Sequence, residues 1–295
     1  PRPQFVGVDA VLDPAELAFG RHVTVGSAEV VSFAGEQFVV VGDANQLPPS
    51  DHFQLAATID DDEDDSGVDS GTESILDLAN QRLRRKRRLR CAYRFQHERL
   101  INFSNRQFYE NDLVVFPSPR GNDDELLGVH YVHVPSVQPD TVYESSINQR
   151  EAEAVIAEAY RIMIAHPENS LGIAAMNAKQ TELIQNEFER LGLERPEVRA
   201  YIERFAGTVD EFFIKNLENV QGDERDIILI STVYGPGKDG VVKQHFGLMN
   251  REVGWRRLNV LVTRAKLSTR VFSSLRPDDV KITDATSKGP RALKD

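Results

Sequence analysis

The sequence predicts an α/β fold in which a parallel, doubly wound sheet carries helices on both faces. Apolar runs of strand length alternate along the chain with segments of helical period, as expected for successive β-α units. The clearest run, 227–233, is almost continuously apolar, which is typical of a strand buried on both faces. The clearest helical segment, 148–164, places Ala152, Val155 and Ile156 on one side. This alternation indicates a parallel sheet.

Composition is that of an ordinary soluble protein. The 295 residues, 40% of them hydrophobic, suffice for one large core or two modest ones. No run approaches the about 18 to 20 apolar residues of a membrane span, and no signal-peptide core follows Pro1, so we expect a cytoplasmic protein without membrane contact. The single cysteine, Cys91, excludes an internal disulfide. Because the net charge is −11, any nucleic-acid site must be local.

The chain begins without a methionine, and we expect it to be a fragment of a larger protein. Its first part is predicted to hold two strands, 5–11 and 37–43, the second of which ends at a turn containing Pro48 and Pro49. Residues 60–65 are all acidic. A basic run follows, made of Arg82, Arg84, Arg85, Lys86, Arg87, Arg88 and Arg90. These blocks are interpreted as a solvated connection between lobes, and the alternative that the basic run contacts nucleic-acid phosphates stays open.

The remaining elements alternate between helix and strand. The predicted helices are 92–109, 148–164, a segment marked by Leu183, Ile184 and Phe188, 194–206 and a segment beginning at Arg256. The predicted strands are 128–134, 171–175, 211–215, 227–233 and 268–274. Residues 235–245 are expected to form a loop, and the tail 284–295 is expected to be disordered.

Two polar motifs some thirty residues apart organise the second half of the chain. The first, NVQGDERD at 219–226, is a turn that runs directly into the strand 227–233. A turn at the end of such a strand lies where α/β sheets bind ligands. The second, RRLNVLVTRAK, has its apolar positions at helical spacing, so we expect a rigid helix to present Arg257, Arg264 and Lys266. Cations held this firmly suit a phosphate.

This pair of motifs resembles the last two motifs of superfamily 1 helicases, the glutamine-glycine-x-glutamate and valine-x-x-threonine-arginine-alanine patterns. The amino-acid sequences of the two motifs are most similar to those of the up-frameshift RNA helicase branch and of large bacterial proteins with such a helicase core. The resemblance implies a RecA-like P-loop NTPase fold whose first lobe is only partly present. It also implies that Gly222 and Glu224 bind ATP, with Glu224 accepting a hydrogen bond from the ribose, and that Arg264 is the arginine finger on the γ-phosphate.

Two earlier stretches resemble further motifs of the same superfamily. The sequence GDANQLPP matches the third motif, which implies that Asp43 belongs to the nucleotide site and that Gln46 senses the γ-phosphate. Taken alone, this stretch also fits a strand and a rigid turn without a ligand. Arg94 matches the fourth motif, which implies a second guanidinium on the γ-phosphate. Cys91 and Ala92 stand where relatives usually have tryptophan and histidine, so the local packing is expected to differ.

The upstream part of the family pattern is incomplete in this sequence. The second motif would hold Mg²⁺ with an aspartate-glutamate pair, and here it is reduced to Asp9 followed by Ala10. A methyl group cannot polarise the attacking water. No glycine-x-x-x-x-glycine-lysine-serine or -threonine phosphate loop occurs in the chain. We therefore expect ATP and Mg²⁺ to act only with the missing part of the first lobe, so that this chain alone is inactive.

Single-stranded nucleic acid is the partner that the resemblance implies, with DNA favoured over RNA, together with the remainder of the helicase polypeptide. The corresponding family junction touches the nucleic-acid backbone at Asn177 and Gln180, and Thr263 is a further candidate; helix capping is the commoner role for such amides. The predicted domains are the end of the first lobe at 1–55, a charged flexible connection at 56–90, the second lobe at 91–283 and the tail.

Three hypotheses of different class follow. The first is a superfamily 1 motor, whose direction the branch resemblance implies to be 5′ to 3′. The second is a catalytically inactive module that binds nucleic acid or a protein partner, consistent with Ala10. The third is a scaffold that docks other subunits. Retention of Gln46, Arg94, Glu224 and Arg264 favours the motor, because a scaffold has no need of all four.

Overall fold

The computed structural model describes residues 8–9, 21–24, 29–34, 37–47, 76, 79–80, 86–92, 94–120, 124–135, 146–192 and 195–295. The chain divides into two compact units. Unit 1 comprises Pro1–Arg94 and Tyr109–Val114, and unit 2 comprises Phe95–Phe108 and Val115–Asp295. The predicted domain boundaries at 55, 90 and 283 stay predictions.

Unit 1 is built on a three-stranded antiparallel sheet. The strands of the first part of the chain are β1 Val8–Asp9, β2 Arg21–Thr24, β3 Glu29–Ala34, β4 Gln37–Gly42, β5 Arg88–Leu89, β6 Cys91–Ala92 and β7 Val114–Val115, which crosses the unit boundary. Strands β2, β3 and β4 pair in that order, and β1 pairs with β5. The expectation of parallel pairing is wrong for β4. Only two residues separate Ala34 from Gln37, and such a short connection permits only antiparallel pairing.

Unit 2 contains the predicted parallel sheet. Its strands are β8 Gly128–His133, β9 Leu171–Ala175, β10 Phe213–Asn216, β11 Arg225–Ser231 and β12 Ala265–Ser273. They are all parallel and lie in the order β10-β9-β11-β12-β8, so β11 is central. The sequence prediction of an α/β fold with a parallel sheet is confirmed.

Six helices of unit 2 lie in the described part of the chain. They are α1 Arg99–Phe108, α2 Gln149–Ala165, α3 Ala178–Gly192, α4 Pro196–Phe205, α5 Trp255–Val262 and α6 Lys288–Lys294. Short 3₁₀ turns occur at Leu217–Asn219, Gly247–Asn250 and Pro277–Asp279. Helices α2, α3 and α4 share one apolar core with Ile227 and Leu229 of β11. Since strand side chains alternate, Ile228 and Ile230 face the opposite side, and both are also buried. The sheet is therefore covered on both faces, as a doubly wound fold requires.

The C-terminal tail is ordered, contrary to the expectation for 284–295. Helix α6 packs against α5, and Gly289, Pro290 and Ala292 are buried. A Cβ atom at Gly289 would lie 2.1 Å from the carbonyl oxygen of Met249, so only glycine permits this close approach. The tail is held by tertiary packing rather than by helix propensity, which its glycine and proline would oppose.

Candidate functional site

The first motif forms a tight turn that requires glycine. The Asp223 N–H donates to the carbonyl oxygen of Val220 at 3.2 Å, which closes a four-residue turn. Gly222 lies at its third position with φ +93°, in the left-handed region that disfavours a side chain. Glu224 follows, partly buried, immediately before β11 begins. The turn thus fixes where the Glu224 carboxylate leaves the backbone.

Neighbouring charged side chains brace this turn. Lys215 forms an ion pair with Asp223 at 2.6 Å. Arg225 is 4% exposed, stacks over the Phe213 ring at 4.7 Å and donates from Nε to the carbonyl oxygen of Glu211 at 2.8 Å. No role was predicted for Arg225, because its charge within a predicted turn gave no sign that it would be buried. These contacts tie the turn to β10 and make it rigid.

Arg264 lies just beyond a helix end rather than on the helix. The Thr263 hydroxyl donates to the carbonyl oxygens of Asn259 and Val260, at 2.8 and 3.1 Å, and α5 ends at Val262. Arg264 is 3% exposed, and its Nε donates to the Val260 carbonyl oxygen at 2.8 Å. Its Nη2 donates to the Thr263 hydroxyl at 3.3 Å. Thr263, a predicted nucleic-acid contact, therefore caps the helix and supports Arg264.

The prediction that one helix presents all three cations of the second motif is wrong in detail. Only Arg257 lies in α5, where it forms an ion pair with Glu218 at 2.5 Å. Lys266 belongs to β12 and pairs with Asp210 at 3.2 Å. The helical pattern of the sequence continues past Val262, but the Thr263 hydroxyl takes the carbonyls that a further helical turn would use.

The structure brings the two motifs together at one edge of the sheet. The Arg225 N–H donates to the carbonyl oxygen of Arg264 at 3.2 Å, and Arg225 is in register with Ala265. Glu224 and Arg264 therefore precede two adjacent parallel strands. This is the amino edge of the sheet. The expectation that the turn lies at the ligand-binding carboxyl end is wrong, because the turn enters β11 rather than leaving it.

In unit 1, the third motif forms its own hydrogen-bonded group. The Asp43 carboxylate accepts from the Gln46 Nε2 at 3.0 Å, the Tyr109 hydroxyl at 2.6 Å and the Asn45 N–H at 2.9 Å. Gln46 is 9% exposed. Tyr109 was predicted only as the last residue of the helix 92–109, and nothing in its spacing pointed to Asp43. The group holds the Gln46 amide in a defined orientation.

The other predicted residues of unit 1 are less constrained by the structure. Arg94 is partly buried and lies two residues after the end of β6. Asp9 lies in β1, with its side chain outside the described part of the chain. Ala10 also falls outside the described residues. Among the described residues, no group of three or more histidine, cysteine or acidic side chains could hold a metal ion.

Asn177 and Gln180 lie at the carboxyl edge of the sheet of unit 2. Asn177 caps α3, accepting from the Gln180 N–H at 2.7 Å, and its Nδ2 donates to the Ser146 carbonyl at 2.9 Å. Gln180 is fully buried. Its amide accepts from the Asn148 N–H at 2.7 Å and donates to Ser231 Oγ at 3.1 Å. The Gln180 side chain is thus used within the protein, and contact of either residue with nucleic acid stays a prediction.

Glu151, at the centre of this edge, was not predicted from the sequence as a site residue. Its fully buried carboxylate accepts at Oε2 from the Ser231 hydroxyl and the Val233 N–H, both at 2.7 Å. At Oε1 it accepts from the Ser274 N–H at 2.8 Å and from Thr232 Oγ1 at 3.3 Å. Burial raises the pKa of Glu151 to about 7, although these hydrogen bonds act to lower it. The carboxylate joins the ends of β11 and β12 to the start of α2.

Val233 adopts an unusual backbone conformation beside Glu151. Its φ is +66°, which a β-branched residue rarely adopts. The hydrogen bond from the Val233 N–H to Glu151 stabilises this conformation. The Asn-x-x-Glu spacing of Asn148 and Glu151 was a signal for a helix start, but not for a buried carboxylate.

Comparison with known proteins gives a family match over most of the chain. The model of the AAA domain family matches residues 72–276. No helix in the described ranges is both long and apolar enough to cross a membrane.

Two curated relatives align with nearly the whole chain. An uncharacterized ATP-dependent helicase of Mycoplasma genitalium is 30% identical over 299 residues, and its homolog in Mycoplasma pneumoniae is 31% identical. Each alignment covers 96% of this chain and 26% of the relative, so the chain spans about a quarter of their length. A crystal structure, the C-terminal domain of a possible DNA helicase from Lactobacillus plantarum, matches 65% of this chain and 95% of that domain with a TM-score of 0.34 and 10% identity.

Proposed function

Because this chain belongs to the AAA domain family, we propose that it is the C-terminal part of an ATP-dependent superfamily 1 helicase or translocase. Such a protein would couple ATP hydrolysis to movement on single-stranded nucleic acid. The observation that carries the proposal is the meeting of Glu224 and Arg264 at the amino ends of two adjacent strands. Both aligned curated relatives carry the name ATP-dependent helicase, which supports it.

The residues at the amino edge suit a nucleotide. The Glu224 carboxylate can accept a hydrogen bond from a ribose hydroxyl, and the Arg264 guanidinium can bind a phosphate through two N–H groups. The Arg264 Nε and Nη2 atoms donate to the Val260 carbonyl oxygen and the Thr263 hydroxyl, which places the guanidinium at the end of α5, directly before β12. ATP would supply the phosphoanhydride whose cleavage drives movement.

Gln46 and Arg94 are proposed to act on the phosphates of a nucleotide. The hydrogen bond from Gln46 to Asp43, and that from Tyr109 to the same carboxylate, keep the Gln46 amide from rotating freely. A fixed amide can report the presence or loss of a phosphate, whereas a mobile one cannot. Arg94 would add a second guanidinium to the phosphates.

The described residues do not form a magnesium site by themselves, and no step is assigned to Mg²⁺ within this chain. Asp9 is proposed as one ligand, acting with residues of the missing first-lobe motifs. The proposed partners are single-stranded DNA, in preference to RNA, and the rest of the helicase polypeptide. This chain spans about a quarter of the length of its curated relatives. We propose that the whole protein acts in the cytoplasm.

A second candidate function is an inactive module that binds nucleic acid or a protein. It is favoured by Ala10, which stands where a catalytic carboxylate is expected, and by the lack of a phosphate-loop sequence in these 295 residues. The retained Gln46, Arg94, Glu224 and Arg264 favour the motor.

ATP hydrolysis, measured with and without single-stranded DNA or RNA, separates the two functions. The natural protein that contains this chain should hydrolyse ATP faster when a strand is present, and this chain alone should be inactive. Binding of a strand by the natural protein without hydrolysis at any strand concentration would contradict the motor and support the inactive module.

A further inference from the structure

We propose that the segment Lys86–Arg90, which we call the basic strand, is a contact surface for the phosphates of single-stranded nucleic acid. The inference rests on the proposed function for the identity of the partner. It adds a nucleic-acid contact to those predicted at Asn177, Gln180 and Thr263, whose side chains make hydrogen bonds within the protein.

Exposure and charge single out the basic strand. All five of its residues are exposed, and four of them are cations: Lys86, Arg87, Arg88 and Arg90. The chain as a whole carries a net charge of −11, so a cluster of this sign runs against the average of the molecule. In the sequence, Arg82, Arg84 and Arg85 extend the run upstream. A concentration of exposed positive charge is the electrostatic signature of a phosphate-binding surface.

The basic strand is anchored, so its cations are presented from a fixed backbone. Arg88 and Leu89 pair with β1, and the Val114 N–H donates to the Arg90 carbonyl oxygen at 2.6 Å. Asp112 forms ion pairs with Arg88, at 3.3 Å, and with Arg90, whose Nε also donates to the Asp112 carbonyl oxygen at 2.9 Å. The two guanidinium groups therefore lie on the same side of the strand.

Asp112 does not neutralise this surface. One carboxylate offsets one of the four positive charges, and two guanidinium groups carry ten N–H donors, far more than one carboxylate accepts. The Arg88 and Arg90 side chains remain 34% and 56% exposed. Lys86 and Arg87 lie outside this ion-pair group, so they contribute their full charge to a ligand in solution.

A polyanion fits this surface better than an apolar partner. Leu89, 45% exposed, is the only apolar side chain in the segment, and one exposed leucine is not a hydrophobic patch. Exposed lysine and arginine side chains contact phosphates rather than bases. Binding should therefore be independent of base sequence and strongly dependent on salt.

The test is the salt dependence of binding. The natural protein that contains this chain is titrated, without ATP, into fluorescently labelled oligo(dT) or oligo(U), and anisotropy is followed from 50 to 300 mM KCl. Each phosphate contact on a single strand contributes about 0.7 to the slope of log K against log salt. The double variant Lys86→Ser/Arg87→Ser removes two contacts, so the slope should decrease by about 1.4 and affinity at 0.1 M salt should fall roughly 25-fold.

A matched control separates this site from a general effect of charge. Arg251→Ser/Lys281→Ser removes one arginine and one lysine, both exposed and on unit 2. This variant should keep the salt slope of the wild type and bind with an affinity within about twofold of it. Equal losses in the two double variants, or an unchanged slope in Lys86→Ser/Arg87→Ser, would overturn the proposal. Competition by poly-glutamate as effective as that by the oligonucleotide would also overturn it, by indicating an acidic protein as the partner.

Hydrolysis assays on the same proteins distinguish failure of this inference from failure of the proposed function. If the natural protein binds single-stranded nucleic acid through the basic strand but never hydrolyses ATP, the inference is supported and the proposed motor function is contradicted. If single-stranded nucleic acid stimulates ATP hydrolysis but its binding is unaffected by Lys86→Ser/Arg87→Ser, the motor function is supported and the inference is contradicted.

Discussion

Replacement of Glu151 by glutamine tests whether burial or hydrogen bonding dominates the energetics of the carboxyl edge. Glutamine preserves the volume but replaces one carboxylate oxygen with an NH₂ group. One oxygen faces the Val233 N–H at 2.7 Å and the other the Ser274 N–H at 2.8 Å, so either orientation sets donor against donor. At low pH we expect Glu151→Gln to lower the free energy of unfolding by about 1 to 3 kcal/mol, the usual penalty for a buried group left unsatisfied.

The pH dependence gives the sign of the effect. Burial raises the pKa of Glu151 from its ordinary value of 4.5 to about 7, so the folded state holds the proton more tightly than the unfolded state. This contribution to stability is fully present below pH 4.5 and is lost as the pH rises to about 7. The interval corresponds to about 3 kcal/mol. Glutamine does not titrate, so the stability difference between the wild type and Glu151→Gln should shrink by about 3 kcal/mol between pH 4.5 and 8.

Urea unfolding of this chain, followed by the fluorescence of its single tryptophan, Trp255, measures both effects. Glu153→Gln is the matched control, because Glu153 lies on the same helix but is exposed, and it should change stability by less than about 0.5 kcal/mol. A stability difference that grows with pH would refute the reasoning, since it would mean that the hydrogen bonds outweigh burial and lower the pKa of Glu151.

Two further substitutions test the turn and the third motif. Gly222→Ala forces a side chain into a residue with φ +93° and should lower the free energy of unfolding by about 1 to 3 kcal/mol, and an unchanged urea midpoint would show that the turn relaxes without strain. Tyr109→Phe removes the 2.6 Å hydrogen bond to the Asp43 carboxylate and should cost about 1.5 to 3 kcal/mol, because that bond is to a charged group. In Asp43→Asn, the same tyrosine substitution should cost measurably less, and equal costs in both backgrounds would refute the pairing.

The sequence predicted unit 2 well because the inner strands β9 and β11 of its sheet are buried on both faces. The run Ile227–Ile230 is continuously apolar, and all four side chains are buried in the central strand. Two features could not be predicted from the apolar pattern. The pairing of β4 depends on the two-residue connection from β3, which an apolar pattern does not reveal. The end of α5 depends on the Thr263 hydroxyl, and threonine continues a helical pattern as readily as it ends one.

Candidate site residues could be predicted where they belong to a sequence motif. They could not be predicted where their role depends on tertiary contacts. Gly222, Glu224 and Arg264 were chosen from their motifs, and the backbone pairing of Arg225 with Arg264 puts the two motifs at one edge of the sheet, while the roles of the three residues stay predictions. Glu151 was missed because glutamate three residues after an asparagine cap usually turns back to the cap N–H. Here Gln180 takes that N–H, which leaves the Glu151 carboxylate to bind the strand ends. That exchange depends on Gln180 in α3, which lies 32 residues after Asn148 in the chain.

The rate of strand-stimulated ATP hydrolysis tests whether Arg264 acts as an arginine finger. The natural protein that contains this chain is compared with its Arg264→Ala variant and with Arg251→Ala, a control at an exposed arginine on the loop before α5. Loss of an arginine finger should lower kcat by about 10³-fold or more with strand binding retained, and Arg251→Ala should hydrolyse ATP like the wild type. An Arg264→Ala variant with wild-type kcat would contradict the proposed arginine finger and leave the buried arginine with a structural role at the end of α5.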